Sequence, residues 1–143
     1  MAGKYLHDMQ NVEHIGIAVK DLTVSIPLFE QLLNTPCYKT ETVENEKVNT
    51  AFFKQGTTKI ELLESLDAEG VIAKFIAAKG EGVHHIAFEV ADIGAEIKRL
   101  DEAGFKILNP VAKKGADNKL VCFLHPKTTN GVLVELCQTI VSE

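Results

Sequence analysis

The chain matches itself at half its own length. Val12-Glu13-His14-Ile15-Gly16-Ile17-Ala18-Val19-Lys20-Asp21-Leu22 corresponds to Val83-His84-His85-Ile86-Ala87-Phe88-Glu89-Val90-Ala91-Asp92-Ile93, with His14 and His85 lying 71 residues apart in a chain of 143. Each copy reads His-Ile, a small residue, branched or aromatic residues at alternate positions, then Val-x-Asp-[Leu/Ile]. A repeat of this kind marks two copies of one supersecondary unit, neither of which can bury its apolar face alone. The segments downstream of the two copies correspond too. Leu22, Ile26, Phe29 and Leu33 form one apolar helical stripe, and Ile93, Ile97, Leu100 and Ala103 form the other. Pro27 interrupts the first, so the helix is expected either to start near Ser25 as N-cap or to bend at the proline. Asp92 is the expected N-cap of the second and Gly104 its C′ residue. Strand-like segments come next: Tyr38–Val43, Val48–Lys54 and Lys59–Leu63 in the first half, Phe105–Leu108, Leu120–His125 and Val132–Cys137 in the second. Gln55-Gly56-Thr57-Thr58 and Thr129-Asn130-Gly131 supply the turns. Val71, Ile72, Phe75 and Ile76 predict a linking helix closed by Gly80 and Gly82. The expected fold is α+β: one domain over 1–143 in which two βαβββ modules (about 11–66 and 83–138, with a linker helix in about 67–82) form a cupped sheet.

Alternation along a strand then sorts the polar residues. His14 shares a face with Gly16 and Ala18, and His85 shares one with Ala87, while His84, Ile86, Phe88 and Val90 fall opposite. Glu61 lies between Ile60 and Leu62, and Glu135 between Val134 and Leu136, so each carboxylate is expected to leave the helix-covered face for the concave one. Glu61 comes 47 residues after His14, and Glu135 comes 50 after His85. A buried, unpaired carboxylate costs several kcal/mol or titrates to neutral. Two imidazoles and two carboxylates at matched positions of a repeat therefore suit a divalent ion such as Zn²⁺, Ni²⁺, Co²⁺ or Mn²⁺. Net charge there would be near zero, leaving a Lewis acid with room for a chelating substrate.

Composition narrows the partners. Lys plus Arg total 15 against 20 Asp plus Glu, a net charge of −5, with the basic residues scattered, so neither nucleic acid nor an anionic membrane is an expected partner. No apolar run reaches the roughly 18 residues of a membrane span. Met1 to Asn11 has no apolar signal core and is not Arg-rich, which points to the cytoplasm. Cys37, Cys122 and Cys137 are odd in number without a Cys-x-x-Cys pair, so no disulfide framework or thiolate zinc site is expected.

As a whole the chain resembles the vicinal-oxygen-chelate (glyoxalase/bleomycin-resistance-like) superfamily, and within it the methylmalonyl-CoA epimerase family. The resemblance rests on Val12 to Val19, on Gly80-Glu81-Gly82-Val83-His84-His85-Ile86-Ala87-Phe88, on Phe123-Leu124-His125-Pro126-Lys127 and on Gly131-Val132-Leu133-Val134-Glu135-Leu136. It implies metal ligands at His14, Glu61, His85 and Glu135, Co²⁺ ahead of Mn²⁺, Ni²⁺ or Zn²⁺, a CoA thioester substrate and a homodimer. Many relatives look to have Gln at the Glu61 position. The implied reaction is interconversion of (2R)- and (2S)-methylmalonyl-CoA through C2 deprotonation, with an acid/base on each face of the planar intermediate. Glu135 is the expected first acid/base. Some relatives carry a glutamate near Thr50, and threonine cannot replace it, so Glu61 ranks first as the second, with Glu44 and Glu46 behind. Lys127 and His125, with Lys113 and Lys114, are the expected contacts to the CoA portion. Rival readings are a glyoxalase I-type enzyme, which shares the His/Glu/His/Glu pattern, an extradiol dioxygenase, whose open positions Glu61 would crowd, and a metal-free binding member. With Trp 0 and Tyr 2, aromatic stacking on a bound drug has little to work with.

Overall fold

The computed structural model describes residues 9–141; the greater part of the segment read for targeting signals, Met1 to Asp8, lies outside them. The first half runs β1 (Met9–Ala18), α1 (Leu22–Leu33), β2 (Lys39–Val43), β3 (Val48–Gln55) and β4 (Thr58–Ser65). The linking helix α2 (Val71–Lys79) leads to β5 (Gly82–Val90), α3 (Ile93–Glu102), β6 (Lys113–Lys114), β7 (Lys119–Leu124) and β8 (Val134–Thr139). All eight strands share one sheet in the order β2-β3-β4-β1-β5-β8-β7-β6. β1 lies parallel to β4 and β5 parallel to β8, while β1 and β5 meet antiparallel in the middle. The sheet is thus two like halves joined at their first strands, curled into a half-barrel.

Three of the helix expectations hold, Gly104 following the α3 C-cap at φ +95° among them, and the start near Ser25 is corrected. Asp92 caps α3, its side chain accepting from Ala95 N, and α2 ends at Gly80, whose φ is +83°. Helix α1 begins at Leu22 rather than near Ser25, because the Asp21 carboxylate takes the N-cap by accepting from Thr23 N at 2.9 Å. Pro27 therefore sits within the helix, and the Thr23 carbonyl forgoes its intrahelical bond. Thr23 is exposed, so water can serve that carbonyl.

Helices α1 and α3 cover the convex side, while Ile72 of α2 borders the concave one. Ile17, Val19, Leu22, Ile26, Phe29, Leu33, Phe53 and Leu62 pack together under α1, and Val90, Ile93, Ile97, Leu100, Cys122, Leu124 and Leu136 under α3. Smaller apolar clusters line the concave side, one of Ala18, Val43, Val48, Leu63 and Ile72, the other of Ala87, Val121 and Cys137. The expected strand Phe105–Leu108 does not form: only Ile107 bridges β7, at Leu124. Leu108 N donates to Phe123 O and His125 N to Lys106 O, both at 2.8 Å, on either side of that bridge; beyond Leu108 the pairing passes to the side chain of Asn109, which accepts from Phe123 N at 2.8 Å and donates to Val121 O at 3.1 Å. Asn130 and Gly131 adopt the positive φ expected of an Asn-Gly turn, but in a longer β7–β8 connection that opens with a 3-10 turn, Pro126–Thr128.

Candidate metal centre

In the register of the sheet the repeat becomes geometry. Gly16, two residues after His14, lies beside Glu61 across the parallel β1/β4 pair, and Ala87, two after His85, lies beside Glu135 across β5/β8. The antiparallel β1/β5 pair sets His14 opposite Ala87 and Gly16 opposite His85, so the two imidazoles meet on a diagonal. Their Nε2 atoms stand 2.9 Å apart, and Glu135 Oε1 lies 3.2 Å from His85 Nε2 and 3.7 Å from His14 Nε2. All four residues are buried, with His14 and Glu135 at 5%, His85 at 6% and Glu61 at 3% exposure.

This donor set fits a cation. Nitrogen and oxygen ligands about 2.0–2.2 Å from one ion sit roughly 3–3.5 Å from each other, the spacing found here. His14, His85 and Glu135 each offer an atom within 4.8 Å of the others. Glu61 stands on the other edge of the His14 ring, its Oε2 being 3.2 Å from Nδ1. Three of the four expected ligands thus converge directly, and the fourth borders them.

Neighbours fix which nitrogen each imidazole presents. Glu13 Oε1 accepts from His14 Nδ1 at 2.7 Å, and His84 Nδ1 faces His85 Nδ1 at 3.0 Å. Both Nε2 atoms then face inward, and two ring nitrogens at such a distance call for a shared proton or a cation between them. Strand alternation puts His84 on the helix-covered face, and the structure corrects this. The β1/β5 register slips between Val12 and His14 and again between Gly16 and Ile17, which inserts Glu13 as an extra residue in β1 and His84 in β5. Each bulge turns the residue before a candidate ligand histidine onto the concave side. The repeat carried a signal for this, a polar residue immediately before each histidine where an apolar one was due.

Crowding sets the electrostatics. Burial opposes a charge on His14, yet Glu61, Glu13 and Glu135 together raise its pKa well above 6.5. Burial likewise opposes ionisation of Glu135, but His14 and His85 hold it down to about 2. Glu61 is pushed up to about 8 by burial and by Glu135, Glu13 and Asp117, against the pull of His14. His84 falls to about 4 through burial and the adjacent His85.

The cluster forms the floor of a cavity of about 440 Å³, in the range that holds small-molecule ligands. Lys113, Glu46, Thr50 and Ile72 are among its walls. His125 and Lys127 do not border it: His125 accepts from Lys127 N at 2.9 Å and caps the 3-10 turn, with Lys127 exposed beside it. Of the lysines considered for the CoA portion, Lys113 alone reaches the cavity wall.

Two like half-sheets enclosing a buried histidine–carboxylate cluster define a vicinal-oxygen-chelate protein. The family model described as the Glyoxalase/Bleomycin resistance protein/Dioxygenase superfamily matches residues 13–123. An ethylmalonyl-CoA/methylmalonyl-CoA epimerase of Cereibacter sphaeroides is 40% identical over 129 residues, covering 89% of this chain and 96% of that one. An uncharacterised protein of Bacillus subtilis is 38% identical over 130 residues, covering 91% and 93%. A Streptomyces coelicolor methylmalonyl-CoA epimerase, solved in complex with 2-nitronate-propionyl-CoA, superposes with a TM-score of 0.89 at 32% identity over 94% of this chain and 98% of that one. The chain belongs to the glyoxalase/bleomycin-resistance/dioxygenase superfamily and, within it, to the family of the methylmalonyl-CoA epimerases.

Proposed function

We propose that this protein interconverts the C2 epimers of methylmalonyl-CoA. The observation that carries the reading is the meeting of His14 Nε2, His85 Nε2 and Glu135 Oε1 in the floor of a cavity large enough for an acyl thioester. A divalent ion would be held by those three atoms with Glu61 as fourth ligand, and when bound it supplies Lewis-acid stabilisation of the negative charge that develops on the thioester and carboxylate oxygens. Co²⁺ is the first metal to try. Exposed Lys127, with Lys113 on the cavity wall, supplies positive charge for CoA phosphates outside the cup, and His125 holds the turn that carries Lys127. A cytoplasmic homodimer completes the proposal, in keeping with the resemblance. Among the described residues no helix is long and apolar enough to cross a membrane.

Glu135 is the acid/base on one face of C2: it is ionised at neutral pH and lies at the cavity floor. Of the three candidates for the other face, Glu61 lies at the Nδ1 edge of the His14 ring, 3.2 Å away, on the side opposite the Nε2 that faces Glu135. Glu44 is exposed and does not border the cavity. Glu46, from the same 3-10 turn (Glu44–Glu46), does border it, and it comes from the first half of the chain whereas Glu135 comes from the second. Burial raises its pKa, Lys113 opposes this and Glu135 adds to the rise, so it gives up a proton less readily than a carboxyl in water. The second role therefore goes to Glu46. Glu135 takes the C2 proton from one face, the C–H electron pair passing into the thioester carbonyl, and Glu46 delivers its proton to the other. Thr50, also on the cavity wall, is 0% exposed with no hydrogen-bond partner for Oγ1. A buried hydroxyl without a partner costs about 1–3 kcal/mol, which a polar substrate atom in the cavity would recover.

The test is C2 hydrogen exchange. Incubated in D₂O with Co²⁺-loaded protein, each enantiomer of methylmalonyl-CoA is expected to gain one deuterium far faster than its spontaneous background, and chelation of the metal is expected to abolish the gain. With Glu46→Gln, interconversion is expected to fall by roughly 100-fold or more, while one enantiomer still exchanges without inverting. Interconversion within about threefold of the parent would remove Glu46 from the chemistry. Unaltered protein that holds its metal yet exchanges nothing would reject the substrate. The Glu61 carboxylate, in place of the glutamine of many relatives, would then favour the glyoxalase I-type reading, to be tried on the hemithioacetal of glutathione and methylglyoxal.

Metal affinity carries its own pH signature. At neutral pH the ion-free site holds a proton on His14, raised well above 6.5, and one on Glu61 at about 8. Binding must displace both, so affinity is expected to rise with pH toward about 8, with up to roughly two protons released per ion. Calorimetry in two buffers of different ionisation enthalpy counts them. A pH-independent affinity would remove His14 and Glu61 from the ligand set.

A further inference from the structure

Glu13 is a buried anion with both oxygens in use. Its Oε1 accepts from His14 Nδ1 at 2.7 Å, and its Oε2 is taken by the Lys59 ammonium. Lys59 Nζ also donates to Asp117 Oδ2 at 2.8 Å, and Asp117 Oδ1 accepts from Lys39 Nζ at 2.6 Å. Asp117 N in turn donates to Glu41 Oε1 at 2.9 Å. Lys59 stands beside His14 in the β1/β4 register, whereas Asp117 belongs to the turn between β6 and β7 in the second half of the chain. Lys39 and Glu41 lie on β2, the strand at the far edge of the sheet from β6. A line of alternating charge thus runs from the His14 ring to the place where the two edges of the half-barrel meet.

We propose that Glu13, Lys59 and Asp117 are positioning residues, which aim His14 Nε2 at the metal and tie that aim to the closure of the half-barrel. The proposal rests on reading His14 as a metal ligand. An imidazole ligand presents a defined nitrogen only when its other nitrogen has a fixed partner, and Glu13 is that partner. A buried carboxylate in turn needs a cation. Lys59 supplies it in direct contact, while the next cation, Lys119, stands 3.9 Å away and donates to Thr139 Oγ1 at 2.7 Å. Lys59 is itself placed between two carboxylates, and the second of these is brought by the other half of the chain. The turn is shaped for this delivery. Asp117 and Asn118 have φ of +60° and +57°, a left-handed conformation that Asp and Asn tolerate better than other side chains. The repeat offers no counterpart, because His84 occupies in the second half the position that Glu13 holds in the first. The device is therefore peculiar to His14.

Co²⁺ titration of the full chain, read by the visible absorption of the bound ion, tests the proposal with no substrate present. Lys59→Met keeps most of the side-chain stem and removes the cation, and it is expected to weaken Co²⁺ binding roughly 10-fold and to alter the visible spectrum. Asp117→Asn suits the left-handed turn, removes only charge, and is expected to shift affinity in the same direction by less. Glu13→Gln is expected to weaken binding by roughly 10- to 100-fold. Since Lys59 acts through Glu13, adding Lys59→Met to Glu13→Gln is expected to cost no further affinity. Losses that simply add in the double variant would overturn the proposal, because they mark a general effect on the fold. So would Lys59→Met binding Co²⁺ within about twofold of the parent, the limit to which independent sites add. If the parent itself binds Co²⁺ no better than a His14→Ala variant, His14 is no ligand and the proposal falls with that reading.

Discussion

Glu135→Gln is expected to lower interconversion, and exchange of the enantiomer whose C2 proton it takes, by roughly 10³-fold or more, the scale of removing a positioned base. The substitution preserves shape and leaves a carbonyl oxygen able to ligate, so metal is expected to bind, though more weakly. What it removes is basicity. In the native site the charge on Glu135 is secured by His14 and His85, which hold it near 2, while Glu61 titrates near 8. Two carboxyls a ring's width apart therefore occupy opposite protonation states at neutral pH, which separates a proton acceptor from its neighbour. Glu61→Gln, by contrast, installs the residue that many relatives look to carry and is expected to retain exchange. Rates by mass spectrometry, with metal content measured in parallel, check both. Full exchange by Glu135→Gln at full metal occupancy would remove Glu135 from the chemistry.

The repeat made the arrangement legible because it acts at two levels. Matching Val12–Leu22 to Val83–Ile93 implied two like units, and the sheet realises this as β1 with β4 and β5 with β8 in the same relative register. Alternation put Glu61 and Glu135 on the concave face, because β4 and β8 run without a register slip where those residues sit. It misplaced His84 where the central pair bulges, since alternation assumes an unbroken register and only the polar residue before each histidine marks the break. Of the two alternatives that Pro27 left for α1, the start near Ser25 fails because an earlier local bond, Thr23 N to Asp21, caps the helix. The segment expected as a strand shrinks to one bridge at Ile107, and past Leu108 Asn109 carries the pairing by side-chain bonds that only the folded neighbourhood supplies. The contribution of Glu46 depends on how its turn folds over the cavity, where Asn45 also bonds to Lys114 O at 3.1 Å across from the other half. Asp117 could not have been linked to His14 from spacing, because three separate pairings of the folded chain bring them together.

Gly16→Ala is expected to dismantle the metal centre without unfolding the chain. The two halves differ at the residue two after each proposed ligand histidine: it is Gly16 in the first and Ala87 in the second. In the register Ala87 stands opposite His14 and Gly16 opposite His85. A Cβ built on Gly16 would lie 2.2 Å from His85 Cε1, 2.6 Å from Nδ1 and 2.8 Å from Nε2. His85 lies directly over the glycine, so the added methyl has nowhere to go unless the ring moves. That ring is also held by His84 at Nδ1, by Glu135 at Nε2, and by the edge of Phe123 at 6.0 Å between centroids. Moving it costs about 1–3 kcal/mol of strain and carries Nε2 away from His14. Loss of one ligand's placement weakens metal binding by roughly 100-fold, read by titration with Co²⁺, while the unfolding midpoint in urea shifts only modestly. Ala87→Gly provides the control at the matching position, where deleting a buried methyl loosens packing by about 1 kcal/mol and leaves His14 in place. Equal metal affinity in Gly16→Ala and the parent would mean that His85 can leave its position without cost to the site, and it would then be no ligand.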